Sequence, residues 1–301
     1  MSTINRKKDK QEKSWMNNEA FKVDFIGIGS GKCGSTWIYE NIVRHPEVCD
    51  KNLKELNYFS DLYTEHGFSW YQRQFGNCKD CTIKGEFSVT YLANPEAPKR
   101  IKRHFPDAKL IAIVRDPVKR AYSNYLHSIR KGDISPSTKF ADYIQDEDNL
   151  ASGRYYEYLK NFYAEFAVDQ IYVIVLEEFV QDAAASLREI YAFLGVKDPC
   201  FLPENYAERS NEAKNYRFLL LENILVKSYR WLSRRGYTRL VKWVLDSGVA
   251  SLLRAINASG SAPPQIDEAS KAVLTEYFQP YNSEFEKVLG RPIKVWSGKV
   301  L

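Results

Sequence analysis

One stretch near the N-terminus constrains the fold more than any other. Phe21-Lys-Val-Asp-Phe-Ile-Gly-Ile is a short β-rich run, Gly29-Ser-Gly-Lys-Cys-Gly34 follows, and Ser35-Thr-Trp-Ile-Tyr-Glu-Asn-Ile-Val-Arg then carries apolar residues at helical spacing. The order is strand, glycine-rich loop, helix. A second unit reads as a helix over 97–104, a turn at Pro106-Asp107, and a buried strand Lys109-Leu-Ile-Ala-Ile-Val-Arg115 running into Asp116-Pro117 and another helix. A third strand, Gln170-Ile-Tyr-Val-Ile-Val-Leu176, lies between helices expected over 155–166 and 183–194. Such alternation predicts an α/β fold with a mostly parallel sheet flanked by helices. Ligands of these sheets bind beyond the carboxyl ends of the strands, where the glycine loop and Arg115 both fall.

The 301 residues are read as a single domain over 20–301 behind a polar, aperiodic tail at 1–19. A segment over 217–256, rich in Leu, Trp, Tyr and Arg, breaks the alternation and is read as a helical insertion in the C-terminal third, a subdomain or lid. Its Arg230, Arg234, Arg235, Arg239 and Lys242 accompany Trp231, Tyr237 and Trp243, so peripheral membrane contact is an alternative reading. No run approaches the roughly 18 apolar residues of a membrane span, and the first ten residues lack the apolar segment of a signal peptide, so a cytoplasmic location is expected. The net charge of +5 is spread along the chain, unlike a nucleic-acid footprint, and no nucleic-acid partner is expected. Five cysteines (Cys33, Cys49, Cys78, Cys81 and Cys200) show no disulfide framework. Cys78-Lys-Asp-Cys81 lacks two further ligands for zinc and is read as a surface turn with two thiols; no metal is expected.

A glycine-rich loop entering a helix presents backbone N–H groups at the positive end of the helix dipole, which suits an anion such as phosphate. Gly29, Gly31 and Gly34 let the chain approach that anion, Lys32 adds a mobile cation, and Ser35 and Thr36 add hydroxyls in the first helical turn. The ATPase pattern GxxxxGK[ST] does not fit, since Lys32 precedes Gly34 by two residues. An ordinary tight turn is the alternative reading of the loop.

The string Lys32-Cys33-Gly34-Ser35-Thr36-Trp37 resembles the 5′-phosphosulfate loop of the sulfotransferases that use 3′-phosphoadenosine 5′-phosphosulfate (PAPS), a P-loop-like fold. Leu110-Ile-Ala-Ile-Val-Arg115-Asp-Pro-Val-Lys-Arg-Ala-Tyr-Ser123 resembles the same family's 3′-phosphate motif, in which the Arg and the Ser hold the donor's extra phosphate. Lys54-Glu55-Leu-Asn-Tyr-Phe59, Gly67-Phe-Ser-Trp-Tyr71, Gly153-Arg-Tyr155, Glu177-Glu-Phe179 and Phe193-Leu-Gly195 are similar to landmarks of its carbohydrate branch, the heparan sulfate sulfotransferases and their bacterial relatives. So are Pro264-Gln-Ile-Asp267, Glu276-Tyr-Phe278 and Leu289-Gly-Arg291 to Trp296, so that the likeness runs from about 21 to 296 and is patchy over about 200–257.

The resemblance implies PAPS as co-substrate and sulfuryl transfer to a hydroxyl or amine of a carbohydrate or glycoconjugate. It nominates Glu55 as catalytic base, with Lys32 neutralising charge on the departing phosphate. A carboxylate suits that task, because an acceptor hydroxyl must lose its proton as it attacks sulfur, help worth roughly 10²–10⁴-fold. Glu86, in Gly85-Glu-Phe-Ser-Val-Thr-Tyr91, competes for the role; Phe87 stands where the branch often has a lysine. Gly31, Lys32, Cys33, Gly34, Ser35, Thr36, Arg115 and Ser123 are the expected donor contacts, and Trp37 either stacks on adenine or lies in the core. Ser259 and Gly260 occupy the place of a donor loop that is basic in the heparan-type enzymes, which Arg and Lys from 217–256 would have to replace. His104 lies upstream of Arg115, as the histidine base of the small-molecule sulfotransferases does, but its spacing suits a capping or surface role. Three other classes stay in play: a PAPS enzyme for small alcohols, phenols, amines or lipids, a P-loop kinase or NTPase, and a silent nucleotide-binding protein.

Overall fold

The computed structural model describes residues 21–49, 53–76, 78, 82–135, 137–208, 215–216, 258–259 and 265–296. The tail expected at 1–19, the helical insertion at 217–256, Cys81 and Gly260 lie outside the described residues. The chain divides into two compact units, one of 1–116, 154–209 and 281–301, the other of 117–153 and 210–280.

The first unit is built on four parallel strands, β1 (Phe25–Gly29), β2 (Gly85–Phe87), β3 (Lys109–Val114) and β4 (Ile171–Val175), in the order β2-β1-β3-β4. All five residues of β1 and residues 110–114 of β3 are buried. Both faces of the sheet are therefore covered, which is why these strands read as unbroken apolar runs instead of alternating ones. Helices α1 (Ser35–Val43), α2 (Phe68–Gln74), α3 (Ala97–His104), α7 (Tyr155–Tyr163), α8 (Leu176–Gln181) and α9 (Ala183–Leu194) supply the cover.

Local chemistry sets several boundaries. Helix α3 has Pro98 in its first turn and the cations Lys102 and Arg103 in its last, and Pro106 lies just beyond its end. Helix α9 is capped by the Asp182 carboxylate, which accepts from Ala185 N at 2.9 Å, and it ends on Gly195 at φ 83°. The first strand starts at Phe25, four residues later than the β-rich run suggested, and α7 stops at Tyr163 instead of 166.

From β1 the chain crosses to one side to form β2, then returns to the other side of β1 to form β3 and β4. The order reverses between β1 and β3, and a parallel sheet opens its ligand crevice at such a point. The loop after β1 and Arg115 after β3 flank it.

In the second unit, α4 (Pro117–Lys131), α5 (Phe140–Tyr143) and α6 (Glu147–Ala151) pack through the rings of Tyr122, Tyr125, Phe140 and Tyr143. Strand β5 (Asn215–Tyr216) pairs antiparallel with β6 (Ala258–Ser259). A long helix, α10 (Glu268–Leu289), carries Pro280 in its interior, where one unit gives way to the other.

Cysteine pairing departs from the expectation. Cys49 and Cys78 form a disulfide with their Cα atoms 5.6 Å apart, because the parallel bridge between Val48 and Ile83 brings the two segments together. Both are buried, so Cys78 is not an exposed turn thiol. Disulfides are rare in the reducing cytoplasm, and this one weighs against the cytoplasmic expectation. No described helix is long and apolar enough to cross a membrane.

Candidate active site

The loop after β1 is shaped to approach something closely. Lys32 holds φ 69° and Gly34 φ 77°, both left-handed, so the chain turns sharply into α1. A Cβ on Gly34 would sit 2.7 Å from Leu176 Cδ1 at the end of β4, so both conformation and packing demand glycine there. No side chain caps α1 at Gly34, so no side-chain oxygen competes with an incoming anion for the N–H groups of its first turn. Cys33 is fully buried, its thiol 3.7 Å from Tyr155 Oη, Ser35 is buried, and Gly31, Lys32 and Thr36 are partly exposed.

Arg115 reaches this loop directly. Its Nη1 donates to Lys32 O at 3.2 Å, and Tyr155 clamps its backbone, donating to Arg115 O at 2.7 Å and accepting from Arg115 N at 3.3 Å. One residue on, Asp116 N donates to the Glu177 carboxylate, which also accepts from Trp296 Nε1 at 3.0 Å. The Arg115 guanidinium and a helix N-terminus thus meet at the crevice of the sheet, on the loop that carries Lys32, a combination that suits a phosphate ester.

Glu55 is tied to the same place through Val89. The Glu55 carboxylate accepts from Val89 N at 3.3 Å and pairs with Lys54, and 39% of its side chain stays open to solvent, enough to meet an acceptor. Val89 in turn lies against the loop: a Cβ on Gly29 would fall 3.0 Å from Val89 O, and one on Gly31 3.9 Å from Val89 Cγ2. Glu86 is placed differently. It is wholly buried, with Oε1 accepting from Tyr91 Oη at 2.6 Å and Tyr71 Oη at 3.4 Å, and Oε2 from Ser88 Oγ at 2.8 Å. Burial outweighs these three donors and pushes its pKa up to about 8.

A family model described as "Sulfotransferase domain" matches residues 22–217. The chain belongs to the sulfotransferase domain family. The chain is 27% identical over 299 residues to bifunctional heparan sulfate N-deacetylase/N-sulfotransferase 3 of Homo sapiens, over 90% of this chain and 31% of that protein. It is 26% identical over 272 residues to heparan sulfate glucosamine 3-O-sulfotransferase 6 of Homo sapiens, over 88% of this chain and 71% of that one. It therefore spans about a third of the bifunctional relative. The crystal structure of a sulfotransferase from Alicyclobacillus acidocaldarius shares its fold with a TM-score of 0.64 at 22% identity, over 92% of this chain and 99% of that one.

Trp37 is 5% exposed, donates from Nε1 to Tyr206 O at 3.1 Å and meets Phe179 edge-on at 4.9 Å, so its ring is committed to the core and not presented to an adenine. Ser123 stands on α4 and Ser259 on β6, both in the second unit. His104 is neither a cap nor a surface residue. Its ring stacks on Phe68 at 4.2 Å and is hydrogen-bonded to Tyr63 Oη at 3.1 Å, and burial lowers its pKa to about 4. Sequence reading passed over Ser88 and Val89; their signal was the hydroxyl-rich Ser88-Val-Thr-Tyr91 at the end of a strand too short to stand out.

Proposed function

We propose that this sulfotransferase moves a sulfuryl group from PAPS to a hydroxyl or amine of a carbohydrate or glycoconjugate. The donor half is supported by the 3.2 Å contact of Arg115 with the backbone carbonyl of Lys32, which sets the guanidinium against the loop that would take the donor. Its two phosphate-bearing ends ask for separate cationic contacts, and Lys32 and Arg115 supply them. The acceptor half rests on the heparan sulfate names of relatives 26–27% identical over about nine-tenths of the chain.

PAPS supplies the sulfuryl group and the phosphate that leaves. Glu55 takes the acceptor's proton: it is a carboxylate beside the loop that solvent reaches, and it pairs with Lys54. The Lys32 ammonium balances charge developing on the leaving phosphate oxygen, and backbone N–H groups of the first turn of α1 add to that stabilisation. Arg115 holds the 3′-phosphate while Tyr155 fixes its backbone. No covalent enzyme intermediate is required, and positioning with electrostatic stabilisation carries the rest.

Two measurements test this reading. Calorimetry should show binding of 3′-phosphoadenosine 5′-phosphate and none of magnesium-ATP; the reverse would make the chain an NTPase-like protein. Radiolabelled PAPS should label desulfated heparan in preference to simple phenols and alcohols, and the opposite preference would move the acceptor to the small-molecule class.

A further inference from the structure

Glu86 has no part in the chemistry just described, yet its buried carboxyl accepts hydrogen bonds from three hydroxyls. The two hydroxyls closest to it face both ways. Ser88 Oγ donates to Glu86 Oε2 at 2.8 Å and accepts from Asn57 N at 3.0 Å. Tyr91 Oη donates to Glu86 Oε1 at 2.6 Å and accepts from Tyr58 N at 3.0 Å. The carboxyl thus reaches, through one hydroxyl each, two consecutive amides of the segment that carries Glu55.

That segment needs holding. Glu55 and Asn57 sit at φ 58° and 51°, left-handed conformations that asparagine tolerates but that glutamate adopts only where its surroundings impose them. A flanking set of contacts runs along the same line: Glu55 N donates to Phe87 O at 2.8 Å, Thr90 Oγ1 to Asn57 Oδ1 at 2.8 Å, and Ser60 Oγ to Asn57 O at 3.2 Å. The Thr90 and Ser60 bonds are part-buried, as is the Ser88 bond to Asn57 N, while the Tyr91 relay and both bonds to the Glu86 carboxyl are buried, where an unmade hydrogen bond costs most. Tyr71 on α2 also donates to the carboxyl, and Tyr39 on α1 and the like charge of Glu55 interact with it electrostatically.

We propose that Glu86 is a positioning residue: through Ser88 and Tyr91 it fixes the backbone at 57–58 and so aims the Glu55 carboxylate beside the donor loop. This rests on the assignment of Glu55 as base. An amide at position 86 keeps an oxygen for Tyr91 and offers Ser88 a donor that its hydroxyl accepts, so glutamine preserves most of the relay, whereas alanine abolishes both arms.

Hydrogen exchange and steady-state kinetics on Glu86→Ala and Glu86→Gln test it. In Glu86→Ala the Asn57 and Tyr58 amides should exchange at least about tenfold faster, reflecting local opening. Its kcat should fall about 30-fold with the KM for PAPS changed less than about twofold, as expected when binding is intact and only the base is misaimed. Glu86→Gln should restore most of the protection and about tenfold of the lost kcat. If Glu86→Ala does not fold, Tyr91→Phe provides the same readouts, with loss of protection at Tyr58. Unchanged protection at 57–58 in these variants would overturn the proposal. So would a glutamine variant as inactive as alanine with protection retained, for that would make Glu86 itself the proton acceptor. Should the wild-type chain transfer no sulfuryl group, the Glu55 assignment fails, while the exchange data still decide whether Glu86 holds the segment.

Discussion

In the folded chain Glu86 keeps its proton up to about pH 8, against an ordinary 4.5, because burial penalises the ionised form more than its three hydroxyl partners favour it. The unfolded chain releases that proton near 4.5, so between the two values the native state binds more protons and stability falls as pH rises, by about 1.4 kcal/mol per pH unit. His104 acts in the opposite sense. Burial among Tyr63, Phe68 and Phe105 lowers its pKa from 6.5 to about 4, so the unfolded chain binds the extra proton between those values and stability rises with pH at the same slope. The two slopes cancel from about pH 4.5 to 6.5, and above that, of the two, Glu86 alone still titrates, so its contribution to stability should decline by about 2 kcal/mol from pH 6.5 to 8. Tyr39, Tyr71 and Tyr91, which face Glu86, have raised pKa values and stay neutral throughout. Glu86→Gln removes one slope and leaves the other: stability should climb by up to about 3 kcal/mol from pH 4.5 to 6.5, then level off. Urea unfolding at half-unit pH steps reads both curves. Parallel profiles for the two proteins would refute the assignment of a buried, protonated Glu86.

Gly34→Ala should destabilise the chain by about 1–3 kcal/mol and weaken donor binding together, since φ 77° and the Leu176 contact at 2.7 Å both oppose a Cβ; thermal melting with calorimetry checks it, and an unaffected variant would mean the loop relaxes freely. Reducing the Cys49–Cys78 disulfide, which spans 29 residues including Glu55, should lower stability by about 3–4 kcal/mol from loop entropy alone, and a melting temperature indifferent to dithiothreitol would contradict the pairing.

The sheet was readable where strands are buried on both faces. Residues 109–114 and 171–175 are apolar runs with no competing periodicity, and α3 and α9 begin and end where their Pro98, Asp182 and Gly195 signals stand. Strand β2 was not readable. Three residues, Gly85–Phe87, carry too little pattern, and they are a strand only because β1 pairs with them from Phe25 to Gly27. The same limit hid the Cys49–Cys78 pair, since proximity across 29 residues comes from the Val48 to Ile83 bridge and not from spacing. Of the site, the loop and Arg115 were legible as types of residue at strand ends. The division of labour between Glu55 and Glu86 was not, because burial and the Ser88 and Tyr91 relays are tertiary facts that leave two acidic residues looking alike in sequence.

The central claim is that the loop at 29–36 and the Arg115 guanidinium together bind the donor nucleotide. Titration calorimetry of 3′-phosphoadenosine 5′-phosphate into the wild-type chain and Arg115→Ala tests it most directly. Binding to the wild type with a Kd about 10²–10³-fold weaker in the variant is the expected result, since the variant loses a charged phosphate partner and the tie to Lys32 O. Equal affinity in the two proteins, or no binding to either, would contradict it.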